Sequence, residues 1–117
     1  MKTAKDKYVV MAADFAGWPL ELAIKKHLEI KGWSVEDLTP VLEETPMNHR
    51  AGFMLGAKIS EREYENGLAI CGTGMGIHIA AGKCPHVHAA ICENVPSAKR
   101  DATGKNCNVL AMGALWT

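Results

Sequence analysis

Short apolar runs alternate with longer amphipathic stretches along most of the chain. Residues 8–13 form a nearly continuous apolar run, which is typical of a strand that is covered on both faces. Residues 19–31 have apolar positions at helical spacing, with Pro19 suited to the start of a helix and Gly32 to the position after its end. Residues 33–38 alternate apolar and polar, which predicts a second strand nearer the edge of a sheet.

The second half of the chain continues this alternation. Two prolines predict a loop over 39–47, and the following apolar spacing predicts a helix over 48–58 with Asn48 as its N-cap. Residues 60–63 have the spacing of a capping box, which predicts a further helical turn that ends near Gly67. The later predicted elements are a strand, turn and helix over 67–83, a strand over 87–91, a weak helix over 96–100 and a strand over 108–113.

Strands that alternate with helices favour right-handed crossovers and a parallel sheet with helices on both faces. At 117 residues, we predict one α/β domain over 1–117. Ligands of such open sheets bind beyond the carboxyl ends of the strands. This rule brings Asp14, after the first strand, near Cys71, at the end of the third.

The strongest chemical signal is the stretch 69–81, in which an apolar run ends at Cys71 and continues through Gly72, Gly74 and Gly76. The pattern predicts a buried strand, a glycine-rich turn and the first turn of a helix. The N–H groups of such a turn and the positive end of the helix dipole favour an anion or a developing oxyanion. The same field would stabilise a thiolate, so this turn is the best candidate for chemistry.

Composition narrows the possible partners. Thirteen basic residues balance thirteen acidic ones, so charge favours neither nucleic acid nor an anionic membrane as a partner. No apolar run approaches the ~20 residues of a membrane span. The four cysteines form no CxxC pair, and we expect reduced thiols in a cytoplasmic protein.

Residues 71–83 resemble the hallmark of the ribose-5-phosphate isomerase B and galactose-6-phosphate isomerase family, Cys-Gly-Thr-Gly-x-Gly followed by Ile-Ala-Ala-Asn-Lys. Three further segments agree in register: 14–17 with the family's Asp-His-Ala-Gly turn, 87–92 with its Arg-Ala-Ala strand and 97–113 with its Ser-Ala … Asn-Val-Leu-Ala-x-Gly ending. The resemblance implies a Rossmann-like three-layer α/β/α sandwich with a five-stranded parallel sheet, usually dimeric.

The resemblance also implies an activity, the aldose–ketose isomerisation of a phosphorylated sugar through a cis-enediolate, with no metal and no other cofactor. Cys71 would be the base that moves the proton. Thr73 and the N–H groups of Gly74 and Gly76 would steady the enediolate oxygen. Asp14 would hold or shuttle protons among the sugar hydroxyls. The residues assigned to substrate binding are Gly72, Gly74, Gly76, Phe15, His78 and Asn108.

The chain departs from the family pattern at positions that serve ring opening and phosphate binding. Phe15 replaces the family's turn histidine, and Gly104 stands where the family has its ring-opening histidine. The family's phosphate-binding arginines lie in C-terminal helices, beyond the position of Thr117. The candidate phosphate contacts here are His49 with Arg50 and Lys99 with Arg100.

Several alternatives stay open. The substrate is a pentose phosphate or a short open-chain sugar phosphate, such as a tetrose phosphate, which needs no ring-opening acid. Alternatively, the chain is a degenerate paralogue that binds a sugar phosphate or serves as a partner subunit. A zinc site at Cys84, His86, His88 and Cys92 is disfavoured because a central parallel strand is covered on both faces.

A dinucleotide site is disfavoured because the turn follows the third strand and its glycine spacing is one residue short of G-x-G-x-x-G. A plain interaction protein is a further alternative. Apolar surface near the fifth strand would drive assembly, so we expect a homodimer or a higher homo-oligomer.

Overall fold

The computed structural model describes residues 1–101 and 106–116. The strands are β1 (Tyr8–Ala13), β2 (Ser34–Asp37), β3 (Gly67–Cys71), β4 (Ala89–Ile91) and β5 (Val109–Gly113). The helices are α1 (Trp18–Ile30), α2 (Asn48–Ser60), α3 (Met75–Gly82) and α4 (Val95–Lys99), and a 3-10 turn covers Leu42–Glu44. Within the described ranges, no helix is both long and apolar enough to cross a membrane.

The five strands form one parallel sheet in the order β2-β1-β3-β5-β4. β3 is therefore the central strand, and β2 lies at an edge, as its alternating sequence predicted. In the register, Ala13 of β1 pairs with Ile70 of β3, and Cys71 pairs with Gly113 of β5. The predicted α/β fold with a five-stranded parallel sheet is confirmed.

Alternation along β1 separates the core into two layers, because successive side chains of a strand point to opposite faces of the sheet. Val10 faces the layer that contains Leu55 of α2 and Ile77 of α3. Met11 faces the opposite layer, against which Leu20 of α1 packs. Each fully buried side chain of this size contributes roughly 1.5–3 kcal/mol. Cys71 belongs to the layer under α2 and α3.

Two predicted details of α2 are wrong. Asn48 is the first helical residue, and Met47 takes the cap position without a side-chain hydrogen bond. The helix also continues to Ser60, so the predicted capping box at 60–63 does not open a new helix. Ile59 is buried in the core and extends the helix, while the Ser60 hydroxyl donates to the carbonyl oxygen of Pro85.

β4 begins at Ala89, two residues later than predicted, and much of the backbone before it pairs with Asn108. The amide oxygen of Asn108 accepts from the His88 N–H at 2.8 Å, and the amide nitrogen donates to the His86 carbonyl at 2.8 Å. The predicted weak helix is present as α4, and Asn94 caps it by accepting from the Ser97 N–H at 2.8 Å.

Candidate active site

The carboxyl ends of β1 and β3 meet in a narrow crevice. The Asp14 N–H donates to the Ile70 carbonyl at 3.2 Å, which ties the residue after β1 to the residue before Cys71. The Gly17 N–H in turn donates to Asp14 Oδ1 at 2.8 Å. A Cβ atom at Gly17 would lie 2.9 Å from Cys71 Cα, so glycine permits this close approach. The structure therefore brings the turn that contains Asp14 against the end of β3, where Cys71 lies.

Gly74 gives the turn after β3 its shape. It adopts the left-handed region, with φ 85° and ψ −15°, and a Cβ there would lie 3.1 Å from the Met112 carbonyl carbon. Its N–H donates to Cys71 Sγ at 3.1 Å. The resemblance assigns this N–H to the enediolate oxygen, and that role stays a prediction, since the N–H here bonds to the thiol.

Thr73 and Gly76 lie on either side of the start of α3. Thr73 is exposed, and its hydroxyl oxygen accepts from the Met75 N–H at 3.3 Å. Gly76 lies in the first helical turn, where N–H groups have no partner within the helix. A Cβ at Gly76 would lie 2.7 Å from the Asn48 side chain, so the first turn of α2 lies directly beside the glycine turn.

The rim of the crevice is apolar. Phe15 follows Asp14 and is 69% exposed. Leu115 and Trp116 follow β5 and are also exposed, and the Leu115 N–H donates to the Gly72 carbonyl at 2.9 Å. A Cβ at Gly72 would lie 3.8 Å from Leu115 Cδ1. Exposed hydrophobic side chains therefore follow both β1 and β5 beside the glycine turn.

The structure does not bring Asn108 to this crevice. Asn108 precedes β5, at the amino edge of the sheet, whereas Cys71 pairs with the last residue of that strand. Both polar atoms of its amide are taken by the loop before β4. Asn108 is therefore a structural clamp for that loop.

His78 is also turned towards β4. Its Nε2 lies 3.1 Å from the Ala89 carbonyl oxygen, at the start of β4, and its Nδ1 is buried without a partner among the described residues. Its predicted contact with substrate stays a prediction. Gly104, the other position relevant to ring opening, lies outside the described residues.

Two other thiols have surroundings that disfavour a thiolate. Burial raises the pKa of Cys84, and burial together with the charge of Asp101 raises the pKa of Cys92. In residues 1–101 and 106–116, no three His, Cys, Asp or Glu side chains are grouped so as to hold a metal ion. The Cys84, His86, His88 and Cys92 set accordingly gains no support as a zinc site.

A family model described as Ribose/Galactose Isomerase matches residues 9–117. The chain belongs to this family. It is 34% identical over 106 residues to the 4-deoxy-4-sulfo-D-erythrose isomerase of Clostridium sp. (strain MSTE9), a match that covers 90% of this chain and 67% of that protein. It is 32% identical over 107 residues to the D-erythrulose-4-phosphate isomerase of Pectobacterium atrosepticum, covering 91% of this chain and 70% of the relative.

The fold agrees with solved structures of the same family. Ribose-5-phosphate isomerase B of Clostridium thermocellum superposes with a TM-score of 0.88 at 30% identity, over 94% of this chain and 74% of that one. The Rossmann-like fold that the resemblance implied is confirmed. Two glycines of the quoted family motifs also gain a physical role here, because Gly17 lies against Ile70 and Gly113 lies against the Thr73 backbone.

Sequence reasoning missed a buried polar pair that hydrogen-bonds to Ala13, the residue before Asp14. Glu21 of α1 is 0% exposed, and the Thr39 hydroxyl lies 3.0 Å from each of its carboxyl oxygens. Burial, together with the negative charge of Asp37, raises the pKa of Glu21 to about 8. Nothing in the local pattern identifies the pair, since Glu21 occupies an ordinary first-turn position of a helix and Thr39 lies in a predicted loop.

Proposed function

We propose that this chain catalyses the aldose–ketose isomerisation of a short, open-chain sugar phosphate by proton transfer through a cis-enediolate. The single observation that carries the proposal is the position of Cys71. Its sulfur lies at the carboxyl end of the central strand, accepts an N–H hydrogen bond within the glycine turn and is adjacent to the Asp14 turn. An N–H donor and a nearby helix N-terminus stabilise negative charge, as a base of this type requires.

The proposed reaction moves one proton between neighbouring carbons. The Cys71 thiolate removes the proton from the carbon next to the carbonyl, and the electron pair of that C–H bond becomes the enediolate double bond. Cys71 then returns the proton to the former carbonyl carbon. Asp14, whose Oδ1 accepts from the Gly17 N–H, transfers the hydroxyl proton between the two oxygens. Substrate and product are isomers, so no oxidant or reductant is needed.

Negative charge on the enediolate oxygen is stabilised by hydrogen-bond donors at the start of α3. The N–H of Gly76 belongs to the first helical turn, and the Thr73 hydroxyl is exposed beside it. Donors that are already in place stabilise a developing oxyanion without reorganisation. Gly76 and Thr73 therefore keep the roles that the resemblance implied, while Gly74 supports the thiol.

Two features favour a four-carbon substrate. Phe15 and Gly104 stand where the family has histidines, so the side chains expected to open a sugar ring are missing. The two curated relatives described above act on an erythrose and an erythrulose derivative, each substituted at carbon 4. Such a sugar has no free hydroxyl at carbon 4 to close a five-membered ring, so its isomerisation needs no ring opening.

The first turn of α2 is the proposed anion side of the site. His49 and Arg50 line an open cavity of about 460 Å³ that also includes Met47. Asn48, which precedes them in the first turn of α2, packs against Gly76 of the glycine turn. A guanidinium group pairs well with phosphate or sulfonate oxygens. This arrangement would hold the charged end of the substrate beside the reacting carbons.

The proposal is tested by proton exchange from the substrate carbon in deuterated water, followed by NMR. The substrates are D-erythrulose 4-phosphate, 4-deoxy-4-sulfo-D-erythrose and ribose 5-phosphate. We expect exchange and isomerisation with a four-carbon substrate at least tenfold faster than with ribose 5-phosphate. Binding without exchange for all three would instead support the degenerate paralogue that binds a ligand or a partner subunit.

Assembly into a homodimer or higher homo-oligomer in the cytoplasm is part of the proposal. Phe15, Leu115 and Trp116 are large apolar side chains that are exposed after β1 and β5, and exposed apolar surface favours association. Light scattering at micromolar concentration tests the assembly. A monomer at that concentration would contradict it.

A further inference from the structure

Glu21 is the most deeply buried residue of α1, which is unusual for a carboxyl group. It lies at the carboxyl edge of β1 and β2, and neither the proton transfer nor the proposed anion side uses it. An unpaired buried carboxylate is strongly disfavoured, so its partners determine which form it takes.

A chain of hydrogen bonds links Glu21 to the end of β1. The Ala13 N–H donates to Thr39 Oγ1 at 2.9 Å, and the Thr39 hydroxyl donates to the Glu21 carboxyl group at 3.0 Å. Thr39 thus accepts at the place where a neighbouring strand would supply a carbonyl. Ala13 directly precedes Asp14, so this chain of bonds ends at the backbone that carries the proposed proton-transfer residue.

The carboxyl groups of Glu21 and Asp37 can both be satisfied when Glu21 carries a proton. The Asp37 carboxylate accepts from the Thr39 N–H at 2.9 Å and from Lys25 Nζ at 3.4 Å, and its negative charge raises the pKa of the Glu21 carboxyl group. If both carboxyl groups were ionised, no proton would lie between them and the two charges would repel. The protonated acid satisfies both neighbours, since it accepts from Thr39 and donates to Asp37.

We propose that Glu21 and Thr39 are positioning residues, which hold the end of β1 so that Asp14 faces Cys71 in the geometry needed for proton transfer. The inference rests on the proposed isomerase function for its catalytic consequence. The relay itself stands on the hydrogen bonds from Ala13 to Thr39 and from Thr39 to Glu21.

Loss of the Glu21 proton is expected to loosen the relay. The charged groups that act on Glu21 are Asp37 of β2, which opposes ionisation, and Lys25 of α1, which favours it. Burial and Asp37 prevail, and the pKa of about 8 places the change at mildly alkaline pH. Above that pH, two carboxylates face each other beside Thr39, and Asp14 loses its support.

The catalytic test uses the full chain with D-erythrulose 4-phosphate as the probe. In E21Q, the amide accepts from Thr39 and donates to Asp37 at every pH, so it mimics the protonated acid. We expect wild-type kcat to fall several-fold more steeply than that of E21Q between pH 7.5 and 9, with KM changing less than twofold. E29Q, which changes an exposed carboxylate on the same helix, should follow the wild type. Identical alkaline profiles for wild type and E21Q would overturn the inference.

Substitutions of Thr39 provide a second activity test. T39V keeps the shape but removes the hydroxyl, and we expect kcat to fall about tenfold with little change in KM. T39S restores the hydroxyl and should recover activity to within threefold. Failure of T39S to rescue, when both variants have wild-type circular dichroism, would count against a positioning role.

A third arm does not depend on catalysis. Amide hydrogen exchange by NMR should show the Ala13 N–H exchanging at least tenfold faster in T39V than in wild type, with protection regained in T39S. The Glu21 carboxyl carbon should titrate near pH 8 in the wild-type chain. If no probe is turned over, the proposed function fails while this arm still decides whether the relay exists. Unchanged Ala13 exchange in T39V would show that it does not.

Discussion

The two edges of the sheet contain similar polar residues with opposite consequences. At the carboxyl edge, Asp14 and Cys71 lie beside helix-start N–H groups that have no partner within α3. At the amino edge, Asn108 already has both amide atoms paired with the backbone of His86 and His88. Polar groups with spare hydrogen-bonding capacity can act on a substrate, whereas satisfied ones stabilise the fold.

Cavity size does not distinguish the two edges. A cavity of about 480 Å³ at the amino edge is lined by Arg62, His86 and His88 among other residues. The cavity beside the first turn of α2, at the carboxyl edge, measures about 460 Å³. The difference lies in what is near each cavity, because the one at the carboxyl edge lies beside Asn48, which packs against Gly76 of the glycine turn.

The largest loss of activity is expected on substitution of Cys71. If it were absent, the proposed difference between the carboxyl and amino edges of the sheet would be wrong. C71S keeps the size of the side chain but replaces the proposed base, so we expect kcat to fall by about 10²–10⁴-fold with little change in stability. The measurement is proton exchange with D-erythrulose 4-phosphate. C84S, at the other end of α3, is the matched control and should stay within twofold of wild type, because the pKa of Cys84 is raised by burial. Comparable losses in both variants would contradict the assignment.

The next effect is the pH dependence of stability at the carboxyl edge. The pKa of Glu21 is about 8 in the folded chain against 4.5 for the unperturbed group. Between those values the native state retains a proton that the unfolded state has lost. The contribution of this group to stability is therefore largest below about pH 4.5 and falls as pH rises, by about 1.4 kcal/mol per unit, until the pH passes about 8.

E21Q should remove this contribution to the slope. Urea unfolding at pH 5, 6, 7 and 8 should show the free energy of unfolding of E21Q gaining on that of wild type at each step. E29Q should parallel the wild type. A constant difference between E21Q and wild type across the range would show that Glu21 does not titrate in this window.

Gly74 tests whether the turn itself is needed. In G74A, the side chain must adopt φ 85° and would contact the Met112 backbone, so we expect a loss of about 1–3 kcal/mol in stability and a fall in kcat. G82A is the control on the same helix, where a Cβ meets nothing within 4 Å, and it should be neutral or stabilising. Equal stability of the two variants, by urea unfolding, would argue against strain at Gly74.

The smallest effect is expected at the amino edge. N108A removes two hydrogen bonds from the loop before β4, so we expect about 1–2 kcal/mol less stability while kcat/KM stays within threefold. H88A removes an exposed side chain but keeps the backbone N–H, and its stability should change by less than about 0.5 kcal/mol. A large loss of activity in N108A at unchanged stability would instead support the original prediction that Asn108 binds substrate.

Elements with strong local patterns were predictable from sequence, and those set by distant partners were not. β1 matches its predicted range, and β5 matches within one residue, because buried parallel strands have continuous apolar runs. The end of α2 was wrong because Ser60 pairs with Pro85, which is 25 residues away. β4 begins at Ala89 instead of residue 87, and the His88 N–H before it donates to the side chain of Asn108, 20 residues further along the chain.

The candidate site divides in the same way. The glycine spacing after Cys71 and the rule that parallel strands share one carboxyl edge were enough to expect the thiol and Asp14 side by side. Family resemblance placed Asn108 in the site, although register puts it at the other edge. Glu21 was not identified at all, since its importance comes from Thr39 and Asp37 on the neighbouring strand and loop.

The sequence by itself determined the order of helices and strands, the parallel sheet and the turn that presents Cys71, since each depends on residue spacing within one short stretch. Tertiary structure alone decided which partner each polar atom takes. The Gly74 N–H bonds to sulfur, the Asn108 amide bonds to a loop, and the Glu21 carboxyl group supports the end of β1 through Thr39. The physical reason is that strand register and helix packing bring together groups that lie far apart along the chain.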